Sequence, residues 1–537
     1  MLRRLTLSIN ALHKEINDMR NRNCALRGMA IALLVAVCMC LASMANAAPD
    51  PANADAMYNG YLDTYLVNSG GQTYFTNSID NRADNFEWTQ AYEITGVEDA
   101  YERTKAADRQ TLISNLVNTF ITVNFTDNSS TNLSWDTWND DLGWDSIALT
   151  RSYQITQDPT YLTDAENVWN EAYSRGWDTT LGGGIWENQN KGAKCTLSNL
   201  SFVPSGVLLY QATGNSAYLS DVESIYAWTR ANLFNTSTGQ ANECVNSNGT
   251  VSLDTNVYNS GLFVNAAAYL YRVTGAQQYY NDALLAATFQ VNAHPIMNVD
   301  YPNNGPFGAD QFFRGLSNFA RWNNLWNNYS TWFNNNCADA WNNRNTEYNV
   351  TWDDISSPTP TTGDLLSMET ESPMVLRQVA QIQDMAVPFT FSGNYELLNA
   401  RSNMALTVSG GSTANDAAVV QEPYTGASDQ LWTLTATSGG YYQIKNVNSG
   451  LALNVGGNFS QSFQEGAKVI QYTPEAAGGE DNDEWMPILN SNGTYTFFNL
   501  NSEQALDDFG ASTTAGNQYD QWVGNGETGQ EFTLISH

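Results

Sequence analysis

Two adjacent carboxylates, Asp140 and Asp141, lie between tryptophans in the run Trp135-Asp136-Thr137-Trp138-Asn139-Asp140-Asp141-Leu142-Gly143-Trp144-Asp145. A pair of carboxyl groups with aromatic walls is the minimum for splitting a glycosidic bond. One protonates the leaving oxygen, and the other attacks the sugar carbon or activates water there. Consecutive Cα atoms are about 3.8 Å apart, so neighbouring side chains reach the roughly 5–5.5 Å carboxyl separation of a retaining site more readily than the wider inverting one. Trp138 and Trp144 would supply an apolar wall that keeps one of the two protonated. Asp136 and Asp145, four residues from Asp140 and Asp141 respectively, read as groups that cap or solvate the helix that follows. A second Asp pair beside a tryptophan, Trp352-Asp353-Asp354, runs into Ser356-Ser357-Pro358-Thr359-Pro360 and reads as a loop.

Other chemistries find little to work with. The three histidines are His13, His294 and His537, which leaves one internal imidazole in the mature chain. A histidine triad or a histidine-based zinc site is therefore nearly excluded, and no metal or cofactor is expected. The net charge of −32 argues against nucleic acid as a partner, because phosphate binding needs a basic patch. Only 15% of residues are charged while 16 are Trp and 27 are Tyr, a balance that suits neutral sugars, whose rings stack on flat apolar faces.

Residues 1–47 read as a secretory signal. Arg20, Arg22 and Arg27 precede the apolar run Met29–Cys38, and Ala45-Asn46-Ala47 offers an A-x-A cleavage site. The run is short for a membrane span, so release as a secreted, extracellular and monomeric protein is expected, with no membrane association after cleavage. Cys195, Cys244 and Cys337 remain, enough for one disulfide and one free thiol; Cys195–Cys244 is the expected pair.

The elements that must position the acids come from a repeat. Tyr92-Glu93-Ile94-Thr95-Gly96, Tyr153-Gln154-Ile155-Thr156, Tyr210-Gln211-Ala212-Thr213-Gly214 and Tyr271-Arg272-Val273-Thr274-Gly275 are each followed by a further tyrosine within ten residues. Each phrase reads as a helix end, a turn and a new helix start. A period near sixty residues fits a helical hairpin plus one long loop. Room for one hairpin before and one after predicts six hairpins closed into an (α/α)6 barrel. Loops such as Gly182-Gly183-Gly184-Ile185-Trp186-Glu187 would build a cleft at one end, with Asp140 and Asp141 aimed into it from the start of an inner helix. A last helix is expected over Ser372–Met385, capped by Ser372 with Pro373 in its first turn.

These motifs, taken in order over roughly residues 50–385, resemble glycoside hydrolase family 76, endo-acting α-1,6-mannanases on an (α/α)6 barrel. Val257-Tyr258-Asn259-Ser260-Gly261 is similar to a Tyr-Asn-Gln-Gly segment of the family, and Lys194–Asn199 to a loop ending in Ser-Asn. Ala309-Asp310-Gln311-Phe312-Phe313-Arg314 keeps the family's Phe-x-Arg but lacks the Lys-Gly before it, a departure that bears on substrate preference. The resemblance implies that Asp140 is the nucleophile and Asp141 the general acid/base. It leaves open whether water or a second sugar accepts the glycosyl group. Trp186, Tyr258 and Phe312 are candidate sugar-stacking residues, Asn199 and Asn259 candidate hydrogen-bonding residues, and Arg314 a further substrate-binding candidate. A non-catalytic glycan-binding or adhesin protein is the rival reading, against which the intact Asp pair speaks.

From about Phe389 the composition turns to Gly, Ser, Asn and Thr with short alternating strands. Asn399…Ser402…Leu406, Asn446…Ser449…Leu453 and Asn499…Ser502…Leu506 recur, with Gln430-Leu431-Trp432, Asp483-Glu484-Trp485 and Gln530-Glu531-Phe532 closing the units. Three such units predict an all-β β-trefoil over 388–537, after the barrel at 48–387. The Gln-x-Trp pattern resembles ricin-type lectin domains. The resemblance implies one sugar site per repeat, best kept at Asp507 with Trp522, weakened at Asn454 with Tyr472, and departing from the family pattern in the first repeat, where Thr407 replaces the aspartate. Mannan or another mannose-containing polysaccharide is thus the expected partner of the whole chain.

Overall fold

The computed structural model describes residues 51–254, 256–297, 308–381, 390–437, 440–475 and 481–537. The secretory signal and the proposed domain boundary near residue 387 lie outside the described residues. Among those described, no helix is long and apolar enough to cross a membrane.

The first part is helical: α1 (Pro51–Tyr65), α2 (Glu87–Thr104), α3 (Ala107–Ile121), α4 (Asn139–Thr156), α5 (Pro159–Gly176), the short α6 (Thr196–Leu200), α7 (Phe202–Thr213), α8 (Ser216–Leu233), α9 (Val257–Thr274), α10 (Gln277–Ala293), α11 (Ala309–Trp322), α12 (Trp326–Asn342) and α13 (Ser367–Gln381). Helices α2, α4, α7, α9, α11 and α13 pack in that order, and α13 returns to α2, so the six close a ring. Each is backed by an outer partner, α3, α5, α8, α10, α12 and α1 respectively. Glycines set the tightest crossings. A Cβ on Gly261 of α9 would lie 2.3 Å from the Phe312 amide of α11, and one on Gly315 would lie 2.7 Å from the Gly261 carbonyl.

The tyrosine phrase marks helix ends in three of its four places. Gln157, Gly214 and Gly275 adopt left-handed backbone after the last turn, and their amides donate to the carbonyls of Tyr153, Tyr210 and Tyr271. In the first hairpin this role falls to Tyr101, whose carbonyl accepts from Lys105. Thr95-Gly96 instead sits inside α2, because Gly96 admits the side chains of Glu371 and Met374 from α13; a Cβ there would meet both at 2.9 Å. The final helix also differs from expectation. It starts at Ser367 and carries Pro373 in its interior, while the Ser372 hydroxyl receives the Asp310 amide of α11 and caps nothing of its own.

The C-terminal part is all β. Twelve strands form one sheet in which the last, Phe532–Ser536, pairs antiparallel with the first, Tyr395–Asn399. The sequence repeats are its structural joints. Asn399, Asn446 and Asn499 accept the amides of Arg401, Asn448 and Asn501 and donate to the carbonyls of Gly529, Asp429 and Asn482. Trp432, Trp485 and Phe532 are fully buried, and both indoles donate to the carbonyl of the repeat leucine, Leu406 or Leu453.

This β part seals the ring at the C-terminal ends of the inner helices. Lys105 pairs with Glu503, Arg272 pairs with Asp481 at 2.9 Å, Gln211 donates to Asn501, and Gln464 donates to the Ala212 carbonyl. Tyr210 stacks on Phe459, and Tyr153 packs against Phe463. Tyr441, Phe463, Met486, Phe498 and Leu500 belong to the same continuous apolar core as the helices. The opposite end, where the inner helices begin, stays uncovered by it.

Candidate active site

Asp140 and Asp141 occupy the first turn of α4, at the end of the ring away from the β part. The chain leading into them is held on both sides. The Asp136 carboxylate accepts the Trp138 amide at 2.9 Å, and the Asn139 amide donates to the Glu187 carbonyl at 2.8 Å. Arg175 of α5 donates to the Asn139 side chain and to the carbonyls of Asp136 and Trp138. Gly143 lets the turn sit against α7, since a Cβ there would lie 2.3 Å from the Ser201 hydroxyl.

Burial and like charges govern the acids. Both members of the pair are pushed well above the ordinary carboxylate range. For Asp140 the causes are burial and then Glu187, opposed by the amides of Asp140 and Asp141 at the helix start. For Asp141 they are burial and then Asp140, Asp136 and Glu87, opposed by Arg175. The helix start favours the charged form of Asp140, while its neighbours favour the protonated form of Asp141. Two carboxyls this close titrate as a pair, so ionising one makes the other hold its proton more tightly. Glu87, Asp136 and Asp141 bring carboxylate oxygens within 4.8 Å of one another, close enough to share protons or to surround a hard cation.

Asp145 neither caps nor solvates its helix. It is 0% exposed, and neither carboxyl oxygen has a hydrogen-bond partner. Position 145 falls nearly two turns inside α4, and burial followed by Glu87 pushes its carboxyl well above the ordinary range.

Three acids at the site escaped the sequence reading. Glu87 opens α2 as Asp140 opens α4. Glu187 ends the Gly-Gly-Gly-Ile-Trp-Glu loop already singled out, and burial and then Glu243 raise it. Glu243 precedes Cys244 and accepts from Tyr258 Oη at 2.6 Å, Asn256 Nδ2 at 2.5 Å and Asn259 Nδ2 at 2.6 Å. Glu187 and Glu243 are brought together by a small three-stranded sheet, Ala193–Cys195, Cys244–Asn246 and Val251–Ser252, and by the Cys195–Cys244 disulfide. Cys337 is buried and outside it.

The predicted substrate contacts divide. Trp138 is 44% exposed beside the pair. Trp144 is buried and meets Tyr92 of α2 edge-on at 5.1 Å, because its position on α4 faces the neighbouring inner helix instead of the cleft. Trp186 is buried, donates to Asp178, and lies under the Lys194 ammonium at 4.7 Å. Asn199 is fully buried and clamps the loop, taking the Ile185 amide and donating to the carbonyls of Ile185 and Cys195. Tyr258 and Asn259 are spent on Glu243. Phe312 is 0% exposed and packs on Trp332. Arg314 is internal, bound to Asp99, Asp310 and Thr95. Trp144, Trp186, Asn199, Phe312 and Arg314 are thus all buried, with the contacts named made inside the protein.

In the β part, Asp507 pairs across strands with Asp520, and Trp522, 39% exposed, with Ala505. Asn454 and Tyr472 line a cavity of about 410 Å³ with Asp416, Asn458, Gln461, Glu475 and Asn482. Thr407 is buried and receives Gln430, so the first repeat lacks the acid.

Comparison with known proteins follows the same division. The family "Glycosyl hydrolase family 76" matches residues 51–352, and "Ricin-type beta-trefoil lectin domain-like" matches residues 388–472. A mannan endo-1,6-alpha-mannosidase of Candida albicans is 31% identical over 164 residues, 27% of this chain. The chain spans 35% of that relative's length. The GH76A α-1,6-mannanase of Salegentibacter sp. superposes with a TM-score of 0.55 at 21% identity, over 62% of this chain and 98% of that one. An inactive variant of the same mannanase, with two consecutive aspartates replaced by asparagine and α-1,6-mannotriose bound, gives 0.54 at 20%, over 61% and 98%. The Lin0763 protein of Listeria innocua gives 0.54 at 20%, over 62% and 97%.

Proposed function

The chain belongs to glycosyl hydrolase family 76, with a ricin-type lectin domain behind it, and we propose that it is a secreted, monomeric endo-glycosidase that cleaves α-1,6-mannosidic bonds in mannan with retention. We read the ring of helices as an (α/α)6 barrel and the three-unit β part as a β-trefoil that holds the polysaccharide. The observation that carries the reading is the adjacent pair at the start of α4, Asp140 buried and Asp141 half-buried, at the end of the ring away from the β part. The consecutive aspartates whose replacement accompanies inactivity in the Salegentibacter mannanase support it.

Asp140 is assigned as nucleophile by the resemblance of its motif to the family's. Its carboxylate attacks the anomeric carbon while the bond to the leaving oxygen breaks and that oxygen takes the proton of Asp141. A covalent glycosyl ester remains on Asp140. Water then gives a proton to Asp141 and attacks the same carbon, releasing Asp140. With a sugar hydroxyl in place of water, the same steps transfer the chain to a new acceptor. Asp136 and Glu87 prepare the first step by keeping the proton on Asp141 until the leaving oxygen takes it. Exposed Trp138 offers a ring for a pyranose beside the pair. For the trefoil, Asp507 with Trp522 and Asn454 with Tyr472 are the assigned sugar sites. Digestion of linear α-1,6-mannan, with products sized over time, tests the function. Fragments of intermediate length appearing first support it; release of single mannose alone, or no cleavage, refutes it.

A further inference from the structure

Among the described residues, the helical part exposes six large apolar side chains: Phe86, Trp135, Trp138, Val251, Leu253 and Leu366. All six lie in the segments that lead into the start of an inner helix, at the end that carries Asp140 and Asp141. Phe86 immediately precedes α2, Trp135 and Trp138 precede α4, Val251 and Leu253 precede α9, and Leu366 precedes α13. Helices α13, α2 and α4 are consecutive in the ring, so Leu366, Phe86 and the two tryptophans form an arc that ends on the acid pair. Val251 and Leu253 stand beyond the pair, on the far side of α7.

The segments that carry Phe86, Leu366 and Trp135 are held in place. The loop between α1 and α2 is pinned beside Leu366 by the Ser78–Leu366 bridge and by hydrogen bonds from the Ser367 amide to the Asn77 carbonyl and from Asn85 to the Ser367 hydroxyl. The Trp135 indole donates to the Asn124 carbonyl at 3.1 Å, which fixes its ring while 43% of the residue stays exposed. Phe86 is 70% exposed even though a phenyl ring is among the costlier side chains to leave in water. Neighbouring packed helices stand about 8–10 Å apart, so an arc over three of them is long enough for several pyranose units.

We propose that Phe86, Leu366 and Trp135 form a row of remote subsites for a long, neutral glycan chain laid across the mouth of the ring, with the bond to be cleaved over Asp140 and Asp141. The occupant is a polysaccharide because the row is continuous with the acid pair and the faces on offer are apolar. The proposal rests on the mannanase reading for the identity of the sugar. It goes beyond that reading in making long chains the preferred substrate and in naming the residues responsible.

The test compares kcat/KM of the full chain with its Phe86→Ala, Leu366→Ser and Trp135→Ala variants on a ladder of α-1,6-mannooligosaccharides from trimannoside upward. The loss should grow with chain length and reach roughly three- to tenfold per aromatic removed on the longest chains, while melting temperatures stay put. An equal loss at every length, or no loss on the longest chains, overturns the row. A parent chain that cleaves none of the ladder overturns the mannan reading, and with it the occupant named here. A parent that sediments as a dimer, and becomes monomeric in Phe86→Ala with unchanged length dependence, assigns the patch to a second copy of the chain and overturns the proposal.

Discussion

Removing the β part should unfold the ring instead of freeing it. Tyr441, Phe463, Met486, Phe498 and Leu500 are buried in the same core as the helices, and full burial of a large apolar side chain stabilises by about 1.5–3 kcal/mol. Five of them come to on the order of 10 kcal/mol, as large as the roughly 5–15 kcal/mol that hold a typical domain. Residues 51–381 alone are therefore expected to give a poorly packed chain. The point-mutant version isolates one joint. The Lys105 side chain is 1% exposed against Glu503; Glu503→Ala strands a buried cation, a change that costs about 3–5 kcal/mol. At about 1 °C per kcal/mol for a chain this large melting as one unit, melting should fall by roughly 3–5 °C. Calorimetry on the full chain should show one transition that moves as a unit. A truncated chain with native near-ultraviolet dichroism and an unchanged melting temperature, or a Glu503→Ala protein that melts like its parent, would refute the argument from a shared core.

Three further outcomes are expected. Asp140→Asn and Asp141→Asn should each slow mannan cleavage by at least about 10³-fold, as loss of a nucleophile or general acid does, with melting barely changed; steady-state rates check this. Asp353, buried with neither carboxyl oxygen hydrogen-bonded, is pushed up to about 9 by burial and then Glu369. A raised folded-state value gives stability that is fully present at low pH and is lost as pH rises toward 9, so Asp353→Asn should melt higher than the parent at pH 8, converge with it near pH 4, and leave activity intact. Asp507→Ala combined with Trp522→Ala should weaken retention on insoluble mannan in pull-down while sparing activity on short soluble oligosaccharides.

How much of this was legible differs by element. The acid pair stood out because both carboxylates are neighbours in the chain. Glu87, Glu187 and Glu243 did not, because they meet only after three separate loops converge, and in a chain with 55 acidic residues no spacing marks them. Trp186 and Phe312 stand on motifs that resemble the family's, yet both rings are buried. Whether an aromatic ring on a helix faces the cleft or the next inner helix depends on how the ring closes, which no local pattern records. The tyrosine repeat located three helix ends and missed the first, where Gly96 serves a crossing with α13, more than 270 residues away in sequence. The β repeat is legible unit by unit, because its Asn position makes the same bonds in all three units and its Trp position does so in the first two. What no repeat could signal was Asn501, which departs from its counterparts by reaching Gln211 across the joint.

The most direct test is proton nuclear magnetic resonance of linear α-1,6-mannan during the first turnovers. Two displacements at one carbon, by Asp140 and then by water, invert twice, so the first reducing ends to appear should be α, with β following only by mutarotation. A β anomer that appears first would mean a single displacement by water, and the adjacent pair at the start of α4 would then not be the catalytic machinery proposed for it.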